Sequence, residues 1–139
     1  MFEIVAKVKI KDNRVMDLLC AAFESGSAYW AIAEGINPPS DEEWKRIAKE
    51  FNSGGKYLYL YPFGGGKVKI YDKEDENELL GVLNMDTIKR GLTYMANGKD
   101  KNDKEIPMRH WDNFMKENED AETADVFLQL CVMGEIVFG

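Results

Sequence analysis

Two kinds of hydrophobic periodicity alternate along this chain, and their order restricts the folds that it can adopt. In five segments the apolar residues recur about every 3.6 positions, which is typical of helices buried on one face. In the others they alternate every second position, as in strands with one buried face. The mixture predicts an α+β fold, in which a small, mainly antiparallel sheet packs against about four to five helices.

The strand pattern is clearest at residues 2–10, where Phe2 and every second residue after it are apolar and lysines lie between them. Residues 57–71 hold two alternating runs separated by a proline- and glycine-rich stretch, which predicts a hairpin. Residues 79–83 and 135–138 are short and apolar, and we expect both to join the sheet. Gly64–Gly66 lies between strand patterns, whereas a phosphate loop precedes a helix, so a turn is the better interpretation.

The helical patterns cover residues 13–33, 40–51, 86–98, 107–115 and 120–134. Capping residues mark several of their starts. Ser40 has Glu43 three positions later, which is a capping box, and Asp120 can cap the last helix. In that last helix Phe127 and Leu128 lie on one apolar stripe, so we expect both to be buried.

The composition excludes several classes of protein. The chain has 139 residues, enough for a single domain over residues 1–139, with 25 acidic and 18 basic residues and a net charge of −7. This charge argues against nonspecific nucleic-acid binding, which requires a basic surface, but suits a basic protein partner or nucleic-acid mimicry. No apolar run approaches the roughly 20 residues of a membrane span, and no signal-peptide core is found, so we expect a soluble protein without a membrane partner. Cys20 and Cys131 lie in apolar helical patterns, which favours two reduced core thiols.

The segment 24–30 is the first candidate site. Its small hydroxyl residues interrupt an amphipathic helix and are followed by two aromatic residues. Ser27, Tyr29 and Trp30 can line a cleft in which a base stacks and a phosphate or ribose finds hydrogen-bond donors. The same small residues can equally allow two helices to pack closely.

The second candidate site surrounds His110, the only histidine, which lies beside Arg109 and Asp112. A histidine with a carboxylate, here Asp112 or Asp120, is the minimum for general acid–base catalysis, although a capping or surface role is more common. One histidine excludes a multi-histidine metal site within a subunit, and no nucleophile or metal-binding motif is found. We therefore expect no metal and no cofactor.

The start of the last helix adds two further residues. Thr123 and Asp125 belong to a polar cluster whose carboxylates complement the helix dipole. Asp125 differs from the others because it lies beside the apolar stripe, so we expect it to reach a buried polar partner.

Two stretches also carry a family resemblance. The sequences DLLCAAFESGSAYW (residues 17–30) and NEDAETADVFLQLCVMGEIVFG (residues 118–139) resemble a family of small uncharacterised proteins encoded by bacteriophages and prophages. Members combine an EGGSNYW-like segment with a C-terminal DAETADVFLQ helix. This chain departs from the pattern at Ser25 and Ala28, where the family has glycine and asparagine. The resemblance implies a phage origin and a location in the host cytoplasm.

Three functions follow as hypotheses. The first is a phage accessory protein that counters host defence by sequestering a nucleotide-type immune signal. The residues expected to bind this ligand are Ser27, Tyr29, Trp30, Arg109, His110, Asp112, Thr123 and Asp125. The alternatives are an acidic inhibitor that blocks a host defence protein by mimicking nucleic acid, and a small hydrolase that uses His110 with a carboxylate. The partner of this chain would be the nucleotide or the defence protein, and we expect no direct binding to nucleic acid. A homo-oligomer is compatible with all three hypotheses.

Overall fold

The computed structural model describes all 139 residues and confirms the α+β class. Its elements, in chain order, are α1 (Asp12–Ala21), a π-helical turn that continues it (Ala22–Gly26), β1 (Ala31–Ile36), α2 (Asp41–Phe51), a 3-10 helix (Leu58–Gly64), β2 (Lys67–Asp72), β3 (Leu79–Leu83), α3 (Met85–Asn97), α4 (Arg109–Met115) and α5 (Ala121–Met133). No helix combines the length and the apolar character that crossing a bilayer requires.

The three strands form one antiparallel sheet in the order β1-β2-β3. Ala33 of β1 lies opposite Ile70 of β2, and Val68 lies opposite Leu83 of β3. Because directly opposed residues share a face of the sheet, these residues define the face that packs on the helices. Val68, Ile70 and Leu83 are fully buried there.

Helix α5 is the central element of the fold. It contacts α1, the π turn, α3, α4 and β3, and every residue from Thr123 to Val132 is buried. Phe127 and Leu128 are among them, as predicted. Asp120 caps the helix by accepting a hydrogen bond from the backbone N–H of Thr123 at 2.8 Å, which also confirms the predicted start.

Helix α3 packs directly along α5. At their crossing a Cβ on Gly91 would lie 2.9 Å from the backbone nitrogen of Cys131, so only glycine allows this approach. The helix begins with a reciprocal capping box between Asn84 and Thr87. Asp86 lies within the first turn, where its carboxylate complements the helix dipole.

Residues 57–61 and residues 2–10 do not form the strands that were predicted for them. Tyr57 precedes the 3-10 helix, and residues 58–61 belong to it. The helix buries Tyr59 with Pro62 and Leu60 with Phe63, each pair three positions apart. β2 pairs with β1 and β3, and it forms no hairpin with residues 57–61. Residues 2–10 are not in a strand either, because no other strand of the chain hydrogen-bonds to them.

The end of the first helix and the C-terminal segment also differ from the predictions. The first helix does not run to residue 33, because it widens into the π turn and gives way to β1. Residues 135–138 do not join the sheet. Val137 and Phe138 bind instead to the side chain of Gln129.

Candidate functional site

The π turn positions the first group of candidate residues. The backbone N–H of Ser27 donates to the carbonyl of Ala22 at 2.9 Å, five residues earlier, which is the hydrogen bond of a π-helix. A Cβ on Gly26 would lie 2.6 Å from the carbonyl oxygen of Ala121, so the turn approaches the start of α5 very closely. Residues 27–30 are thereby held against α5. Such π-helical turns within α-helices are frequent at functional sites.

Asp125 of α5 binds all three polar side chains of this segment. Its Oδ1 accepts from the hydroxyl of Ser27 at 2.8 Å and from the indole N–H of Trp30 at 2.6 Å. Its Oδ2 accepts from the hydroxyl of Tyr29 at 2.6 Å and from the amide of Gln129 at 3.2 Å. The expected buried polar partner of Asp125 is therefore found, and the carboxylate is buried with four donors around it.

Gln129 connects this cluster to the C-terminal segment. Its Oε1 accepts from the backbone N–H groups of Val137 and Phe138 at 2.8 and 2.9 Å. The ring of Phe138 then stacks on the indole of Trp30, with ring centroids 5.0 Å apart and an interplanar angle of 11°. The stacking face that the sequence hypothesis assigned to a base is thus covered by the chain itself.

The phenol of Tyr29 is half exposed, yet its pKa is raised to about 12. Partial burial is the main cause, because it disfavours the phenolate. The hydrogen bond to Asp125 adds to the effect, since that carboxylate would repel a phenolate. Tyr29 therefore remains a hydrogen-bond donor throughout the physiological pH range.

The second group of candidate residues lies between α4 and α5. The Nδ1 of His110 is 3.0 Å from the hydroxyl of Thr123, and both residues are buried. Burial lowers the pKa of His110, and the positive charge of Arg109 lowers it further. Arg109 itself is exposed and forms an ion pair with Glu122, with 2.6 Å between its Nη2 and Oε1 of Glu122.

This arrangement differs from that of an acid–base catalyst. No hydrogen bond or ion pair joins a carboxylate to the imidazole of His110, whose only side-chain partner is Thr123. Asp112 is exposed on α4, and Asp120 caps α5. Asp120 and Glu122 act on the imidazole only through their charge, which raises the pKa of His110 against the larger effect of burial.

The eight predicted residues therefore form two groups on different sides of α5. Thr123 and Asp125 are two positions apart on this helix, so their side chains point about 200° apart around its axis. Asp125 collects Ser27, Tyr29 and Trp30, whereas Thr123 faces His110. The sequence did not predict Gln129 or Phe138, although Gln129 lies one helical turn after Asp125 and faces the same side.

A cavity of about 380 Å³ lies beside the first group, where the sheet, α5, the π turn and the 3-10 helix meet. Most of its lining is hydrophobic, and the lining residues are Ala22, Phe23, Ser27, Ala28, Ala31, Ile32, Ala33, Leu58, Ile70, Lys73 and Leu128. Four of them are alanines, whose small side chains leave the space unfilled. The alanine-rich run of residues 28–33 was the signal in the sequence that could have revealed this cavity.

Lys73 is the only charged residue of this cavity. Its Nζ donates to the carbonyl of Ala28, another lining residue, at 3.2 Å, and the side chain is exposed. No carboxylate forms an ion pair with it. The ammonium group therefore retains donors for a ligand atom at the rim.

No group of three or more histidine, cysteine, aspartate or glutamate side chains is arranged to hold a metal ion. No protein-family model, no curated protein and no solved structure matches this chain.

Proposed function

We propose that this chain is a phage-encoded accessory binding protein that sequesters a small ligand with a flat apolar part and an anionic group, such as a nucleotide-type immune signal. The observation that carries the proposal is the cavity beside the π turn, which is apolar except for Ser27 and Lys73. Its volume of about 380 Å³ lies in the range of small-molecule sites. A base would occupy the apolar part, and a phosphate would contact Lys73 at the rim.

The rigidity of one wall supports this proposal. Ser27 lines the cavity and is also fixed by Asp125, so the wall is held by a buried carboxylate. A wall that is already ordered costs little conformational entropy when a ligand binds. The predicted residues of the first group therefore act mainly by positioning the wall. Under this proposal the ligand's own contacts are with Phe23, Leu58 and Lys73.

The first test uses nucleotides as probes. We expect members of a panel of cyclic mono- and dinucleotides to raise the melting temperature of the wild-type protein, since a ligand that binds only the folded state stabilises it. Adenosine, which lacks phosphate, should bind more weakly. If no nucleotide of the panel shifts the melting temperature, the proposal fails.

Two variants locate the binding site. Lys73→Met should weaken nucleotide binding by about tenfold or more, because it removes a charge-assisted contact, and should leave adenosine binding unchanged. Lys49→Met, on the exposed face of α2, is the matched control and should have no effect. Ala33→Leu should fill the cavity and weaken both ligands while keeping the melting temperature. Equal affinities in all three variants would place the ligand elsewhere.

A second candidate function is supported by the distribution of acidic residues. Residues 73–78 form an exposed loop with four acidic residues and one lysine, and this loop would dock on a basic defence protein as nucleic acid does. Reversing Glu74, Asp75 and Glu76 to lysine would then abolish protection of the phage. Mass spectrometry of small molecules retained by protein from infected, defence-competent cells discriminates between the two, because only a ligand-sequestering protein retains its signal.

A further inference from the structure

The N-terminal arm, residues 1–10, is a segment whose backbone groups have no hydrogen-bond partners within the chain. Several of its large apolar side chains are exposed: Met1, Phe2, Ile4, Val5 and Val8, with Phe2 at 99% and Val5 at 102%. An extended row of free donors and acceptors with apolar side chains is a ready template for strand pairing.

Only the second half of the arm packs against the rest of the protein. Ala6, Val8 and Ile10 line a groove of about 490 Å³ together with Leu92 of α3 and Trp111 of α4. Phe2 and Ile4 lie on the same side of the extended arm, because side chains two positions apart share a face. Ala6, Val8 and Ile10 therefore lie in the groove, whereas Phe2 and Ile4 remain exposed.

The sequence of the arm is complementary to itself. If two arms run antiparallel with residue 5 opposite residue 5, then Glu3 lies opposite Lys7, and Phe2 lies opposite Val8. In this register Ile4 faces Ala6. Every directly opposed pair is therefore either oppositely charged or apolar, apart from Met1 and Lys9. Each pair also occurs twice, as a two-fold axis requires, except the pair of Val5 residues, which lies on the axis and occurs once.

We propose that two copies of this chain associate through their N-terminal arms, which pair as an antiparallel two-stranded ribbon centred on Val5. The ribbon pairs those backbone groups of each arm that point toward the other arm, about half of the groups that are free in one chain. It also brings Phe2 of each copy beside Val8 of the other, and so to the groove between α3 and α4 of that other copy. Charge favours the contact of each arm with the body of the other copy, since residues 1–11 carry +2 and the rest of the chain carries −9.

The first test measures the mass of the full chain by light scattering. We expect a dimer, with twice the 15.9 kDa of one chain. Glu3→Lys and Lys7→Glu should each weaken the dimer by about tenfold or more, because each places like charges opposite one another twice. Combining the two substitutions restores the opposite charges and should restore the dimer. Lys9→Glu, whose opposed residue is Met1, is the control and should have little effect.

The second test locates the axis. Val5→Cys should form a disulfide between two chains on mild oxidation, because the two residues 5 face each other at the distance of an antiparallel pair. Lys9→Cys should not, since its counterpart in the other chain is far along the ribbon. The wild type, with Cys20 and Cys131, controls for other cross-links. A monomer in solution overturns the proposal, as does a dimer that none of the arm variants weakens or whose Val5→Cys form does not cross-link.

Discussion

Asp125 is the residue on which the first group of the candidate site depends. Its carboxylate accepts from Ser27, Tyr29, Trp30 and Gln129, so Asp125→Ala would leave several buried donors without an acceptor. We expect the free energy of unfolding to fall by about 3 kcal/mol, measured by urea denaturation. Asp112→Ala, an exposed carboxylate, is the control and should change it by less than about 0.5 kcal/mol. Similar losses in both variants would contradict a structural role for the Asp125 cluster.

His110 makes stability depend on pH. Its pKa is lowered in the folded protein, mainly by burial, so the unfolded chain takes up a proton at a higher pH than the folded one. The stabilisation is therefore complete above the unfolded pKa of about 6.5 and is lost as the pH falls through the folded pKa. Urea denaturation from pH 7 to 5 should show stability falling by up to about 1.4 kcal/mol per pH unit. His110→Gln should flatten this slope, and an unchanged slope would assign it to other groups.

At this scale the sequence predicts residues better than it predicts the contacts between them. Asp125 could be recognised because a carboxylate beside an apolar helical stripe needs a buried partner. Phe138 could not, because its stacking on Trp30 depends on the path of an irregular segment. Lys73 was missed for a similar reason. It reaches the cavity only through the pairing of β2 with β1, which brings together residues about 40 positions apart.

At the scale of elements, the close contact of α3 with α5 through Gly91 gives a prediction. Alanine favours helix over glycine by up to about 1 kcal/mol, so Gly91→Ala would stabilise an isolated α3. In the protein, the added Cβ would meet the backbone of Cys131, and we expect a net loss of about 1–3 kcal/mol in thermal or urea denaturation. Gly54→Ala is the control, because its Cβ would meet no atom within 4 Å. A gain in stability at Gly91 would mean that the two helices can separate without cost.

The helices were predictable and the strands were only partly so, for a physical reason. Capping residues such as Ser40 and Asp120 act within one turn, so a short stretch of sequence contains the signal. A strand forms only if a distant segment supplies its hydrogen bonds. Residues 2–10 alternate as regularly as any strand of the sheet, yet they have no partner within the chain. Residues 58–64 alternate too, but the three-residue spacing of a 3-10 helix buries their aromatic rings more fully.

At the scale of the whole molecule, α5 joins most elements to one core of 25 buried residues. The unit formed by α2 and the 3-10 helix is the exception, because α2 packs mainly on the 3-10 helix and not on α5. The single-domain prediction therefore depends on how firmly this unit is joined to the rest. Its connection runs through the contacts of the 3-10 helix with α1, β1 and β2. Leu60, which is fully buried, belongs to the shared core.

The three tryptophans allow cooperativity to be measured in separate parts of the fold. Trp30 lies against α5, Trp44 belongs to α2 and Trp111 to α4. Three variants, each keeping one tryptophan and replacing the others by phenylalanine, should unfold in urea with a fluorescence midpoint equal to that of their own circular dichroism. Because the two midpoints are compared within one variant, the stability lost through the substitutions affects both equally. An earlier midpoint for Trp44 alone would show that α2 and the 3-10 helix unfold as a separate unit, and the single-domain prediction would then be wrong.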